Sequence, residues 1–138
     1  MLILLSDVNN CLKLEVPTAS IMATAVQGSF VKPDGTAPAA SGIGYQIWTE
    51  STGANAWSPD EGATGNVTCL AGIYRAKTDQ IASETFAAGD GLVVGTDGKL
   101  KLQGAAEEHV IGYALGAKGA ETFKGDSYAN VLEYITCG

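Results

Sequence analysis

From residue 67 onward the chain reads as short β-strands punctuated by Gly-Asp and Asp-Gly turns, and no other feature constrains its fold as strongly. Asp97-Gly98 sits between two apolar arms, Leu92–Val94 and Leu100–Leu102. Asp-Gly is a favoured pair for a two-residue type I′ hairpin, in which both central residues take φ > 0 and glycine does so without steric cost. Asp97 and Gly98 are therefore the expected turn-forming residues. Apolar runs at Val110–Leu115 and Ala129–Ile135 supply two further strands.

The N-terminal half follows the same pattern less regularly. Leu12, Leu14 and Val16 alternate with Lys13 and Glu15, as a half-buried strand does, and Pro17 ends it. Leu2–Leu5 is either an earlier strand or an apolar tip that inserts into a neighbouring subunit. Ser20–Val31 reads as a strand interrupted by Gly28, and Pro33-Asp34-Gly35 as a turn. Thr36–Gly65 is a long loop-rich excursion containing one apolar island, Ile43–Thr49, where Tyr45 and Ile47 alternate with Gln46 and Trp48. Val67–Ala76 resumes the strand pattern, and Thr78–Glu84 is a turn or one helical turn capped by Thr78 or Asp79.

The expected fold is all-β: a small barrel or sandwich of short antiparallel strands with long loops and an N-terminal arm. Residues 1–66 hold the arm, the first strands and the excursion; residues 67–138 form a compact β domain, and the two are expected to make one structural unit. A chain of 138 residues is long enough to bury a working core.

Charge narrows the function. Eight basic against fifteen acidic residues give −7, which provides no footprint for phosphate backbones and disfavours anionic membranes. Neither nucleic acid nor a membrane is an expected partner. Only 17% of residues are charged while 18 are glycine, the composition of tight turns and of a surface partly covered by something else. Met1–Leu5 is too short for a signal-peptide core and runs at once into Asp7, and no apolar run approaches a membrane span, so synthesis in a cytoplasm is expected.

Candidate chemistry is sparse. Cys11, Cys69 and Cys137 are odd in number and far apart, so free thiols are expected. The single histidine, His109, follows Glu107-Glu108; it could meet Cys69 in the fold, but no local motif supports a catalytic pair. Asp60-Glu61, Asp90, Asp97 and Asp126 lie in separate loops without a calcium-loop pattern. Gly89–Gly91 is not a phosphate loop, and Asn66-Val67-Thr68 matches the glycosylation pattern without a secretory context. The expectation is no enzyme, no metal and no cofactor. Tyr45, Trp48 and Trp57 are the large groups of the irregular middle: binding anchors, or lids over the core.

The runs Ile73–Ala76, Ala87–Val94, Asp97–Leu100, Val110–Ala117 and Val131–Ile135, taken in order, resemble the head decoration, or capsid cement, proteins of tailed bacteriophages. The shared features are a run ending in A-G-D, a V-x-x-D-G-K hairpin, a V-I-G-x-A strand and a last alternating strand. They cover the C-terminal half; the first 65 residues match no family pattern.

The resemblance implies a structural virion protein that binds the outer capsid surface, contacts the major capsid protein and cements neighbouring capsomers as a homotrimer. It would be made in the host cytoplasm and located on the virion. Met1, Leu2, Ile3, Leu4 and Leu5, with Tyr45, Trp48 and Trp57, are the expected contacts to the shell or to a sister subunit. The alternative is a carbohydrate-binding β module in which Tyr45, Trp48 and Trp57 form a stacking platform.

Overall fold

The computed structural model describes residues 1–7, 11–58 and 65–137. Among them the chain is all-β, built from antiparallel sheets. Strands β1 (Leu2–Leu4), β2 (Leu12–Pro17), β3 (Phe30–Val31) and β4 (Tyr45–Ile47) are followed by the small ribbon of β5 (Ser51–Gly53) and β6 (Ala56–Trp57). Then come β7 (Asn66–Ala71), β8 (Arg75–Thr78), β9 (Gly91–Val94), β10 (Leu100–Leu102), β11 (Gly112–Ala114), β12 (Gly119–Phe123) and β13 (Asp126–Thr136).

The larger sheet runs β1-β8-β13-β11-β9-β10, with β12 added along β13. The smaller runs β2-β7-β4-β3. Each sheet therefore takes strands from both halves of the sequence.

Strict alternation along the smaller sheet explains the layering. Phe30 and Leu70 point into a core shared with Leu92, Val94, Leu100, Leu132 and Tyr134 of the larger sheet. Their neighbours Val31, Ile47, Val67 and Cys69 point the other way, into a second core closed by Ile21 and Ala25 from the loop before β3. At β3, β4 and β7 the smaller sheet is thus covered on both faces, while β2 is largely exposed, and the two sheets pack as a sandwich across the first core.

One polar group crosses that first core. Gln46 is fully buried; its Oε1 accepts hydrogen bonds from Tyr74 Oη at 2.7 Å and from Tyr134 Oη, and its Nε2 donates to Gly28 O at 2.9 Å. Burial pushes both tyrosine hydroxyls well above their ordinary range, so they stay protonated donors.

Several expectations change. The β9–β10 hairpin exists, but its loop has three residues. Gly98 N donates to Gly95 O and Gly95 N to Lys99 O, and of Asp97 and Gly98 only Gly98 takes positive φ, at +78°. That is a type I turn with a left-handed third residue, in place of type I′. The two-residue turn with both central residues at positive φ lies elsewhere, at Lys124-Gly125 between β12 and β13.

Ser20–Val31 is strand only at Phe30–Val31, because its apolar residues are used to close the second core from a loop. Thr78–Glu84 forms no helix: Thr78 ends β8, its hydroxyl accepts Gln80 N, and Ile81 bridges Leu100. The run 67–76 is two strands, broken at Gly72.

Candidate functional site

Met1–Leu5 takes the strand alternative. β1 pairs with β8 from Leu2↔Thr78 to Leu4↔Ala76, Met1 and Leu2 are buried, and Met1 O accepts the Thr78 hydroxyl at 2.7 Å. Ile3 and Leu4 are half-buried; only Leu5 turns outward, its N–H and that of Ser6 both donating to Arg75 O. Met1 and Leu2 are thus taken into the fold, while Ile3, Leu4 and Leu5 keep exposed surface.

The three aromatic candidates are divided. Trp48 packs against the first core under Lys13, whose Nζ lies 5.6 Å from the ring centroid. Tyr45 and Trp57 pack against the second core, on the other side of the smaller sheet. The fold therefore does not assemble Tyr45, Trp48 and Trp57 into one platform.

The groups suited to chemistry are also kept apart. Cys69 is buried in the second core, and burial there pushes its thiol up to about 12, which leaves no thiolate at neutral pH. His109 lies on the first-core side of the smaller sheet, beside Ile111 and Tyr74. All three cysteines are free thiols. Asp90 and Asp97 spend their carboxylates on their own turns, accepting Ala87 N at 2.9 Å and Lys99 N at 3.0 Å. No group of three or more His, Cys, Asp or Glu gathers as a metal cage among the described residues, and Asp60-Glu61 lies outside them. Among the described residues no helix is long and apolar enough to cross a membrane.

What the fold does assemble is an apolar end. The β7–β8 turn presents Ile73, 67% exposed; Leu12 beside it, paired with Ala71, is 63% exposed; and Ile43 on the loop before β4 is 58% exposed. Beside Ile43 and Gly72 opens a cavity of about 170 Å³, walled by Phe30, Leu70, Tyr74 and Ile111, with Tyr45 and His109 also lining it.

Two of its polar wall groups are already paired. Tyr74 Oη is bound to Gln46, and Thr136 Oγ1 accepts Tyr74 N and donates to Gly72 O. An occupant would find apolar surface and few open hydrogen-bonding groups.

The cavity rim on the His109 side is held by Glu108. Its Oε2 accepts the Ser41 hydroxyl and its Oε1 accepts Gly104 N and Ala105 N, the latter at 2.8 Å; these bonds, the Ser41 bond foremost, draw its carboxyl below the usual range. Ser41, at φ +54°, is also tied through its N–H to Val94 O. The clamp thus fixes the two segments that carry Ile43 and His109.

Comparison with protein-family models, curated proteins and solved structures finds no match to this chain. The fold and this surface are what the chain itself provides.

Of the expected contact residues, Tyr45 alone lines this cavity. Leu12, Ile43 and Ile73 are not among the expected contact residues, and His109 figures there only as a catalytic partner of Cys69. A signal existed at Gly72-Ile73, where a large β-branched residue follows a glycine at a strand break, a place usually given to a polar residue.

Proposed function

We propose that this chain is a structural virion protein that binds the outer surface of a phage capsid and cements neighbouring capsomers, with the major capsid protein as partner. The observation that supports this reading is where the residues carrying the resemblance fall. Leu92–Val94, Leu100, Gly112–Ala114 and Val131–Ile135 are neighbours in one sheet, with β11 directly between β9 and β13. The ordered pattern is therefore one spatial unit, as a shared structural core would be. On this reading the protein is located on the virion after synthesis in the host cytoplasm, and acts without catalysis or a cofactor.

Function on this reading is contact area. A subunit that touches several capsomers gains from effective concentration, and a homotrimer gains further, because each added contact is intramolecular. Leu5 and the loops around Trp48 and Trp57 are the proposed shell contacts.

The test is co-sedimentation of the purified chain with mature, undecorated heads. Saturable binding at a copy number set by shell symmetry, absent with unexpanded precursor shells, supports the proposal. No binding to either head form removes it.

A further inference from the structure

We propose that the β12–β13 ribbon, residues 119–130, is a strap that opens and closes over the start of β1 while the rest of the fold holds. β13 changes character along its length. From Leu132 onward it pairs with β8, and from Tyr134 with β11 as well. From Asp126 to Val131 it pairs with β12 alone. No residue from Gly119 to Asn130 is buried, whereas Val131, Leu132, Tyr134 and Thr136 all are. Local opening costs least where few buried apolar contacts are lost, so the boundary at Val131 divides one strand into a loose half and a firm half.

The ribbon tip lies over the body without packing into it. Met1, Gln27, Glu50 and Ser51 face Phe123 and Tyr128 of the ribbon across a cavity of about 160 Å³. The body side of that cavity is fixed by bonds of its own. The Met1 ammonium donates to Asp79 Oδ1 at 2.7 Å and to Gln27 O at 3.0 Å, and Met1 O accepts the Thr78 hydroxyl. Lifting the ribbon leaves these bonds in place and exposes Phe123, Tyr128 and the first residue of the chain.

Lys124 supplies the latch. The tip turn, Lys124-Gly125, takes φ > 0 at both positions, which favours Asn or Asp before the glycine. Lysine at φ +52° is strained there, because a Cβ crowds the following carbonyl. Its side chain gives the compensation: Nζ lies 2.9 Å from Glu50 Oε1 and 5.4 Å from the centroid of the Phe123 ring. Asparagine would suit the turn and bring no charge to Glu50. At the base of the ribbon Lys77 Nζ pairs with Glu121 Oε1 at 3.2 Å. Partly exposed pairs of this kind hold weakly and are screened by salt, which suits a tie that is made and broken.

The strap does not depend on the cement reading, and its test needs no capsids. Hydrogen exchange of the full chain, followed by NMR, compares the two halves of β13 within one strand. Protection factors, corrected for intrinsic exchange, should be about tenfold or more lower for the amides paired across the ribbon than for Leu132–Ile135. Raising the salt concentration should lower the ribbon values further.

Glu50→Ala removes the body side of the latch without touching the turn, and should lower ribbon protection by about two- to fivefold, the range an exposed ion pair supplies. Lys124→Ala should also lower it, and adding Glu50→Ala to that variant should change nothing more, since the pair is already lost. Ribbon amides as well protected as Leu132–Ile135 in the wild type, or ribbon protection indifferent to Glu50→Ala, overturns the proposal.

Discussion

Tyr74 and Gln46 meet through a single 2.7 Å hydrogen bond that links the larger sheet's side of the first core to the middle of the smaller sheet. Tyr134, on the central strand of the larger sheet, donates to the same oxygen. Every member of this buried set has a partner, and no buried side-chain polar atom is left without one among the described residues. A satisfied polar set in an apolar core fixes which strands face each other, because any slip would strand its members.

Removing the shared acceptor should therefore cost more than removing one donor. Tyr134→Phe leaves Gln46 bound to Tyr74 and should cost about 1 kcal/mol. Gln46→Leu strands two hydroxyls and should cost about 2–5 kcal/mol. Urea unfolding of both variants gives the order directly; equal losses would mean that the three side chains do not act as a set.

Alkaline pH should weaken the fold. Burial holds Tyr74 and Tyr134 protonated well above their ordinary range and raises Cys69 to about 12. Each group binds a proton in the folded state that the unfolded chain releases above its own pKa, near 8.5 for Cys and 10 for Tyr. Stability is complete below those values. It then falls by about 1.4 kcal/mol per pH unit for each group as pH rises toward the folded pKa. Urea midpoints at pH 8, 10 and 11 should drop progressively, and Cys69→Ala should remove the part that begins first.

Gly98 is held by two constraints, and they can be separated. Its φ is +78°, and a Cβ there would lie 2.6 Å from Met22 Cε and 2.7 Å from Phe30 O. Its carbonyl also accepts Phe30 N at 2.9 Å, docking the turn on β3. Gly125 has φ +82° with open space around it. Gly125→Ala should cost about 1 kcal/mol from backbone conformation alone. Gly98→Val adds overpacking and should cost about 3 kcal/mol or more. Thermal unfolding of the two variants checks the difference.

Acid should loosen the cavity rim before it unfolds the protein. The lowered pKa of Glu108 means its contribution is present above the ordinary carboxylate value and is lost as pH falls through the depressed folded value. The protection of the Gly104 and Ala105 amides, measured against intrinsic exchange at each pH, should fall on going from pH 6 to pH 3, and should be lower than wild type in Glu108→Gln at pH 6. Exchange insensitive to the substitution would show that the backbone holds the rim without the carboxylate.

The sequence reveals much of this fold through alternation, and the discrepancies have physical causes. Leu12–Val16, Tyr45–Trp48 and Val131–Ile135 alternate because one face of each strand is apolar, and that pattern survives without knowledge of partners. The β9–β10 turn was placed correctly but typed wrongly, since Asp-Gly serves both a two-residue loop and the end of a three-residue one. The choice depends on strand register, and here the turn also docks on Phe30.

Gly119–Phe123 gave no strand signal because β12 buries none of its residues; only backbone pairing with β13 defines it. The apolar end was hidden for a different reason. Leu12, Ile43 and Ile73 are far apart in sequence, and apart from the glycine before Ile73 nothing local distinguishes these exposed aliphatic residues from buried ones.

The central claim is that this chain cements a shell, and the stability of DNA-filled heads tests it most directly. Heads lacking the protein are heated with increasing amounts of the purified chain, and the temperature of DNA release is recorded. The account predicts a rise that saturates when the symmetry-determined number of copies has bound. A release temperature that does not move while the chain is bound at saturation would contradict it.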